Sequence, residues 1–423
     1  MTDDTHGTFH EQAGGRTDDD RTDVRSARGP LAGLRVIETG SLIAGPFCGQ
    51  LLGDFGAEVI KVEDPGSGDP MRQWGSHLPQ GLSLSWPIIA RNKRSITCNL
   101  RRPEGQELLR RLLASADVLV ENFRPGTLER WGLGPAELAE LNPRLVVTRI
   151  TGYGQDGPYA KRAGFGSVGE AMGGLRHLTG EPDRAPSRTG ISLGDSLAGT
   201  FAALGTVMAL FAREHTGRGQ VVDSAIYEAV LALMESVLPE WELAKSRRER
   251  TGSTLPGVAP SNVYPTLDGS AVLIAANRDT VFNRLAELMG HPEWQTDERY
   301  GTHAARGRNM AELDELVAAW TRGQDADALL DRLHEGGVPA GLIYTAEDMF
   351  TDPHFEAREA IVRLMHDKLG SFPMQNVAPR LSGTPGAVRE LGPELGQHND
   401  AVYGELLGLD ARERARLAEL GAI

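Results

Sequence analysis

An α/β fold with a mostly parallel sheet is the class this sequence predicts, on three observations. Short runs rich in Val, Ile and Leu recur at 34–38, 57–63, 117–121 and 145–150. Stretches with helical apolar spacing lie between them, at 104–115 and 135–141. Alternating strands and helices require crossover connections, and right-handed crossovers lay the strands parallel.

Taken in order, Leu34-Arg-Val-Ile-Glu38 is the first strand, followed by a Gly-rich turn and a helical stretch over 47–55. Ala57–Glu63 is the second strand, Glu104–Ser115 a helix and Asp117–Glu121 the third strand. A short helix over Pro135–Leu141 leads to the fourth strand, Leu145–Ile150, and completes a Rossmann-like pattern. The turn Thr39–Pro46 lacks the G-x-G-x-x-G spacing that brings backbone against a pyrophosphate, so an NAD or FAD fingerprint is absent. Gly40 and Gly45 are there either as turn residues or as the wall of an acyl site. The uncharged run Ser196–Ala212 is shorter than the ~18–20 apolar residues of a membrane span and reads as a buried helix. A turn over Glu214–Gln220 precedes a long helical stretch, Ser224–Arg247. Residues 251–270 read as a loop, a smaller α/β segment runs to about 345, short strands return over 361–396, and Ala411–Leu420 is a helical tail. No internal repeat of 20–50 residues is present.

The 423 residues are 40% hydrophobic and 24% charged, which excludes a disordered, collagenous or small disulfide-scaffold chain and gives two or three domains. Residues 1–30 carry seven acidic residues and four arginines with few apolar ones, and are expected to be a disordered tail. The net charge of −14 makes nucleic acid and anionic membrane poor bulk partners, so an anionic substrate needs a local basic pocket. Cys48 and Cys98 form no CxxC or Cys/His cluster, and the histidines show no ligand spacing. No metal is expected, and a reducing, cytoplasmic setting is. No basic n-region followed by an apolar h-region marks a signal peptide.

Six segments in order carry a resemblance: Ala44–Glu63, Asn92-Lys-Arg-Ser-Ile96, Glu121-Asn-Phe-Arg-Pro-Gly126, Gly194-Asp-Ser-Leu-Ala-Gly199, Thr216-Gly-Arg-Gly-Gln220 and Tyr264-Pro-Thr-Leu-Asp-Gly269. Together they resemble the class III CoA-transferases, the formyl-CoA and carnitine CoA-transferase family of CaiB/BaiF type. The resemblance implies a Rossmann-like large domain built from both ends of the chain, an inserted smaller α/β domain and an interlocked dimer. The corresponding divisions are 1–30 tail, 31–220 first part of the large domain, 221–345 linker helix and small domain, and 346–423 return to the large domain. It also implies an acyl-CoA substrate and a carboxylic acid acceptor, with no tightly bound cofactor.

On the same resemblance Asp195 is the nucleophile. A carboxylate with a pKa of about 4 is already ionised at pH 7 and needs no base, and a helix N-terminus would favour the ion further. A purely structural reading makes Asp195 a helix cap. Asp183 is a rival carboxylate in a Pro-rich turn. Asn122, Phe123 and Arg130 match family positions around CoA, and Arg72, Arg91, Lys93, Arg94, Arg101, Arg102 and Arg124 either add to a basic patch or form a solvated face. Asp64 stands where the family often has Arg. Oxyanion donors are sought in the Gly-rich loops at Ser41–Gly45, Gly173-Gly174 and Thr251–Gly257, the last with only Gly252 and Gly257 where formyl-CoA transferases have a glycine run. Ile43 replaces their glutamine, which points to an acyl group larger or less polar than formyl or oxalyl.

Two alternatives stay open. A racemase-like isomerase needs a histidine thirty residues before the aspartate, and that position is Phe165. A non-catalytic CoA-binding subunit working beside a paralogue is the other. For the transferase, Arg162, Arg176, His177, Arg184 and Arg188 are candidates to grip a second carboxylate of a diacid, with succinyl-CoA favoured as donor. Glu170 either bonds within the site or faces solvent.

Overall fold

The computed structural model describes residues 29–423, and the expected tail lies outside the described residues as far as 28. Six strands form one parallel sheet: β1 (Arg35–Glu38), β2 (Glu58–Glu63), β3 (Lys93–Thr97), β4 (Val118–Glu121), β5 (Val146–Thr151) and β6 (Val221–Ala225). Their spatial order is β3-β2-β1-β4-β5-β6, so the order reverses between β1 and β4. Successive residues face opposite layers. Val36, Val59, Val118 and Val146 pack on α1 (Ala44–Asp54), whereas Ile37, Ile60, Leu119 and Val147 pack on α2 (Pro103–Leu113) and α3 (Pro135–Leu141).

Beyond β5 come α4 (Gly166–Met172), α5 (Leu193–Thr216), α6 (Ile226–Leu231) and α7 (Val237–Ala244). The uncharged run forms α5, but only one face of it is buried. Ala198, Gly199, Ala202, Thr206 and Ala209 lie against α1 and the sheet, while Phe201, Leu204, Val207, Met208 and Phe211 are exposed. Small residues let the helices close up: a Cβ on Gly199 would stand 2.7 Å from the Ala44 carbonyl oxygen. The expected helix over 224–247 is instead β6, α6 and α7, broken where Glu235 takes a positive φ of 47°.

A second hydrophobic core belongs to an antiparallel sheet of β7 (Ser261–Pro265), β8 (Ala271–Ala275) and β9 (Ala340–Leu342). It is covered by α8 (Asp279–Leu288), α9 (Met310–Thr321) and α10 (Ala326–Glu335). After the hairpin β10 (Ile361–His366) and β11 (Gly370–Gln375) the chain returns to the first core. Val402, Tyr403 and, in α11 (Ala411–Glu419), Leu417 pack there, and His398 and Asn399 bond the outer edge of β3.

Charges are buried together where β1 ends, beside the middle of β2 and the start of β3. Glu38 meets Lys61 at 3.1 Å and Lys93 at 2.7 Å, all at most 1% exposed. Lys61 also pairs with Asp69 at 2.7 Å and donates to the Gly40 carbonyl, and Lys93 donates to the Pro46 carbonyl at 2.7 Å. Such charges persist inside only when paired. Here the pairs hold both ends of the turn that follows β1.

Candidate active site

That turn, Thr39–Pro46, lies at the carboxyl ends of the strands beside the β1/β4 reversal, where open α/β sheets bind ligands. Two side chains brace it. Asn122, just after β4, accepts from the Ser41 N–H (2.9 Å) and donates to the Ser41 carbonyl (2.8 Å). Asp69 accepts from the N–H of Leu42 (3.2 Å), a residue held at φ 64° where a branched side chain is strained. Gly40 and Gly45 face each other so closely that a Cβ on either would stand 3.1–3.2 Å from the other's Cα. Gly45 therefore serves the turn and lines no cleft wall, whereas Ile43 and Ala44 do.

A cleft of about 510 Å³ opens on this turn. Its walls come from Leu42–Ala44, Asn122–Pro125, Ile150–Gly152, Arg162–Ser167, Arg188, Ser192 and Asp195. Among the described residues Asp195 is the only carboxylate in that lining. It is not a cap: α5 begins at Leu193 after Ser192, and Asp195 sits inside the first turn. Its carboxylate has no hydrogen-bond partner among the described residues. Gly166 at the start of α4 lies directly against it, so a Cβ there would stand 2.2 Å from Oδ2.

Burial pushes the Asp195 carboxyl up to about 6, the Glu170 charge adds to that, and Arg188 opposes it. The helix terminus, expected to favour the ion, is outweighed by desolvation. The raised value carries a stability sign. Between its ordinary 3.8 and about 6 the folded chain holds more protons than the unfolded chain, so stability falls as pH rises through that window. Asp195→Asn removes a penalty of up to about 3 kcal/mol on this account. Solvent in the cleft lowers it, leaving about 1–2 kcal/mol. Thermal unfolding should show a Tm gain of about 2–4 °C at pH 8 that disappears below pH 4.

Glu170, 1% exposed, is inside the site: Oε1 accepts from the Gly194 N–H (3.1 Å) and Oε2 from Arg176 (2.8 Å). Arg176 is thereby committed, and His177 pairs with Glu249 at 3.2 Å. Arg184 and Asp183 lie in an exposed loop outside the cleft lining. Of the five candidate cations, only Arg162 and Arg188 line the cleft, Arg162 with its guanidinium 3.6 Å over the Tyr159 ring.

A second cleft of about 430 Å³ shares Ser41 and Phe123 with the first. It is lined further by Lys61–Asp64, Cys98–Arg101, Thr127 and Trp131. Phe123 stands edge-on to Trp131 at 5.2 Å. Asp64 and Arg101 pair there at 2.9 Å.

Several candidate positions fall elsewhere. Arg94 pairs with Glu58 at the start of β2, and Arg91 and Lys93 are buried against Asp54 and Glu38. Arg72 is held by Glu63. These cations neutralise internal acids and do not form an open basic patch. Arg124 lines the first cleft, and Arg130 bonds Thr127 (3.0 Å) beside the second without lining it. Gly173 and Gly174 belong to packing: a Cβ on them would meet Val230 at 2.6 Å and Met234 at 3.1 Å. Gly252 faces Glu181 and is outside both clefts of its own chain. No cluster of three metal-ligating side chains occurs among the described residues.

A model described as CoA-transferase family III matches residues 31–399, almost the whole described chain. The chain belongs to CoA-transferase family III. This family III enzyme is 60% identical over 388 residues to a succinyl-CoA–D-citramalate CoA-transferase of Chloroflexus aurantiacus, covering 92% of this chain and 96% of the relative. It is 43% identical over 383 residues to the beta subunit of a succinyl-CoA–L-malate CoA-transferase of the same organism, covering 90% and 95%. A crystal structure of a CAIB/BAIF family protein from Brucella suis matches with a TM-score of 0.78 and 38% identity over 90% of this chain and 100% of that one. Phe165, which carries no ionisable group, lies in the same lining as Asp195.

Proposed function

We propose that the enzyme moves CoA from succinyl-CoA to a dicarboxylic acid, of the hydroxylated D-citramalate kind, through Asp195. One observation carries the reading: among the described residues Asp195 is the only carboxylate lining the cleft at the strand ends. An Asp195 oxygen attacks the thioester carbon, the C–S bond breaks, and CoA leaves as thiolate while a mixed anhydride forms. The thiolate then attacks the aspartyl carbonyl, releasing succinate and leaving an aspartyl-CoA thioester. The acceptor carboxylate repeats the two steps in reverse order, and Asp195 is restored. No proton need be removed from the nucleophile, and one thioester replaces another.

The N–H groups of Ile43 and Ala44, opening α1, lack intrahelical acceptors and border the cleft, which suits them to the tetrahedral oxyanion. The CoA nucleotide belongs in the second cleft, with its pantetheine crossing at Phe123 toward Asp195. Donor and acceptor are read from the names of the two Chloroflexus relatives. Of the arginines in the lining, Arg162 and Arg188 suit a second carboxylate.

Arg188→Gln should raise KM for a dicarboxylate acceptor about 10-fold or more while leaving that for a monocarboxylate such as butyrate within about 2-fold. Acceptor kinetics with both acids decide it. The exposed apolar side of α5, with Leu238, Trp241 and Leu243 of α7, supports the interlocked homodimer as the working form, its large body Rossmann-like and its second core an inserted domain. The relatives named as alpha and beta subunits give a heteromer with a paralogue as the second reading.

The deciding experiment is incubation with succinyl-CoA, trapping with hydroxylamine or borohydride, and peptide mass mapping. An adduct on Asp195 is expected. One on Asp183 would overturn the site, and α-proton exchange in deuterated water with no adduct would overturn the reaction.

A further inference from the structure

Glu170 is buried in α4 and has both carboxylate oxygens engaged, one by the Gly194 N–H (3.1 Å) and one by Arg176 (2.8 Å). Gly194 immediately precedes Asp195, so the bond ties α4 to the turn that carries the nucleophile. The approach is as close as backbone permits: a Cβ on Gly194 would stand 3.0 Å from both Glu170 Cγ and the Gly166 carbonyl oxygen. A neutral glutamine could accept the same bond, so positioning alone does not call for an acid. The charge is held inside next to a second carboxylate that is itself unpaired, an arrangement with an electrostatic cost.

We propose that Glu170, locked by Arg176, is a positioning residue that fixes the Asp195 turn and, by its charge, keeps the nucleophilic carboxylate basic. This rests on Asp195 being the nucleophile. Repulsion between the two carboxylates is present while Asp195 is free and is relieved once its oxygen joins the acyl carbon, because the anhydride and the thioester are neutral there. The ground state is raised relative to both acylated states. The charged groups around Asp195 are few. Glu170 faces it from α4 with Arg176 paired to its far oxygen, and Arg188 from the loop before α5; Arg124 and Arg162 lie elsewhere in the lining, and α1 and α6 contribute to it only apolar groups such as Ala44 and Ile226.

The test is the pH dependence of single-turnover acylation by succinyl-CoA in wild type, Glu170→Gln and Glu170→Ala. Glu170→Gln keeps an acceptor for Gly194 and removes the charge. Its acid limb is expected about one pH unit lower, with acylation about 3- to 10-fold slower at pH 8. Glu170→Ala loses the acceptor as well and is expected to be about 100-fold slower. Should the glutamine variant fold poorly, the double variant E170Q/R176Q replaces the ion pair by an amide pair of similar shape and must move the limb in the same direction, by less because the Arg176 charge is lost with it. A structural role alone would lower Tm or rate and leave the pH limb in place, and a limb superimposable on wild type in either charge-free variant overturns the proposal. Absence of any Asp195 adduct in the wild type would sink the nucleophile reading instead, a result separate from an unmoved pH limb.

Discussion

Asp195→Ala is expected to lower kcat for CoA transfer by about 10⁴-fold or more, since the proposed covalent route disappears and no other carboxylate among the described residues lines the cleft. Binding of CoA should change little, because the second cleft is built from Lys61–Asp64, Phe123 and Trp131, remote in sequence from α5. Steady-state transfer and isothermal titration with CoA check the two halves. A variant retaining more than about a tenth of wild-type kcat would exclude Asp195 as the attacking group. In the wild type the acid limb of the rate should fall near pH 6, where the buried carboxyl gains its proton.

Gly166→Ala is expected to cost about 100-fold in kcat with little loss of stability. The added Cβ would stand 2.2 Å from Asp195 Oδ2 and 2.6 Å from Cγ, far inside contact distance. The atoms it meets are the end of a short side chain, which can rotate away, so the clash is relieved by moving the Asp195 carboxylate and the fold survives. Thermal unfolding within about 2 °C of wild type, together with the rate loss, is the expected pair of results. Full activity would show that the carboxylate has room to attack from another rotamer.

Much of the fold was legible because the central strands are apolar on both faces. Val118-Leu119-Val120 and Val59-Ile60 serve one layer and then the other, and the expected boundaries lie within a residue of those observed. The two edge strands were not legible. β3 reads Lys-Arg-Ser-Ile-Thr, a charge run in one dimension. In the structure Lys93 is cancelled by Glu38, while Ser95 bonds Glu63 (2.5 Å) and Thr97 bonds Asn399 (2.7 Å). β6 spans Val-Val-Asp-Ser-Ala and was hidden inside a helical-looking stretch. A polar strand can be recognised only when its partners are known, and those partners lie up to about 300 residues away.

The same limit applied to the site. Asp195 and Phe123 are accessible through motif order, and Glu170 stands in the sequence with two open readings that its bonds to Gly194 and Arg176 decide, whereas nothing in the sequence marks Gly166. Asn122 was named for the ligand, and its amide turns out to brace Ser41. The basic residues around 91–101 suggested a phosphate patch by proximity in sequence. They are divided among Asp54, Glu38, Glu58 and Asp64 because buried or facing acids claim them.

By itself the sequence determined an α/β chain, its central strands, the absence of a dinucleotide fingerprint and the motif order that resembles family III, with Asp195 in one of those motifs. Tertiary structure alone decided which charges remain available, because a cation's role depends on whether an acid lies within ion-pair distance. It also decided that Asp195 has no partner among the described residues and is held basic. Burial, the Glu170 carboxylate and the bare Gly166 face meet only when α4 packs against α5.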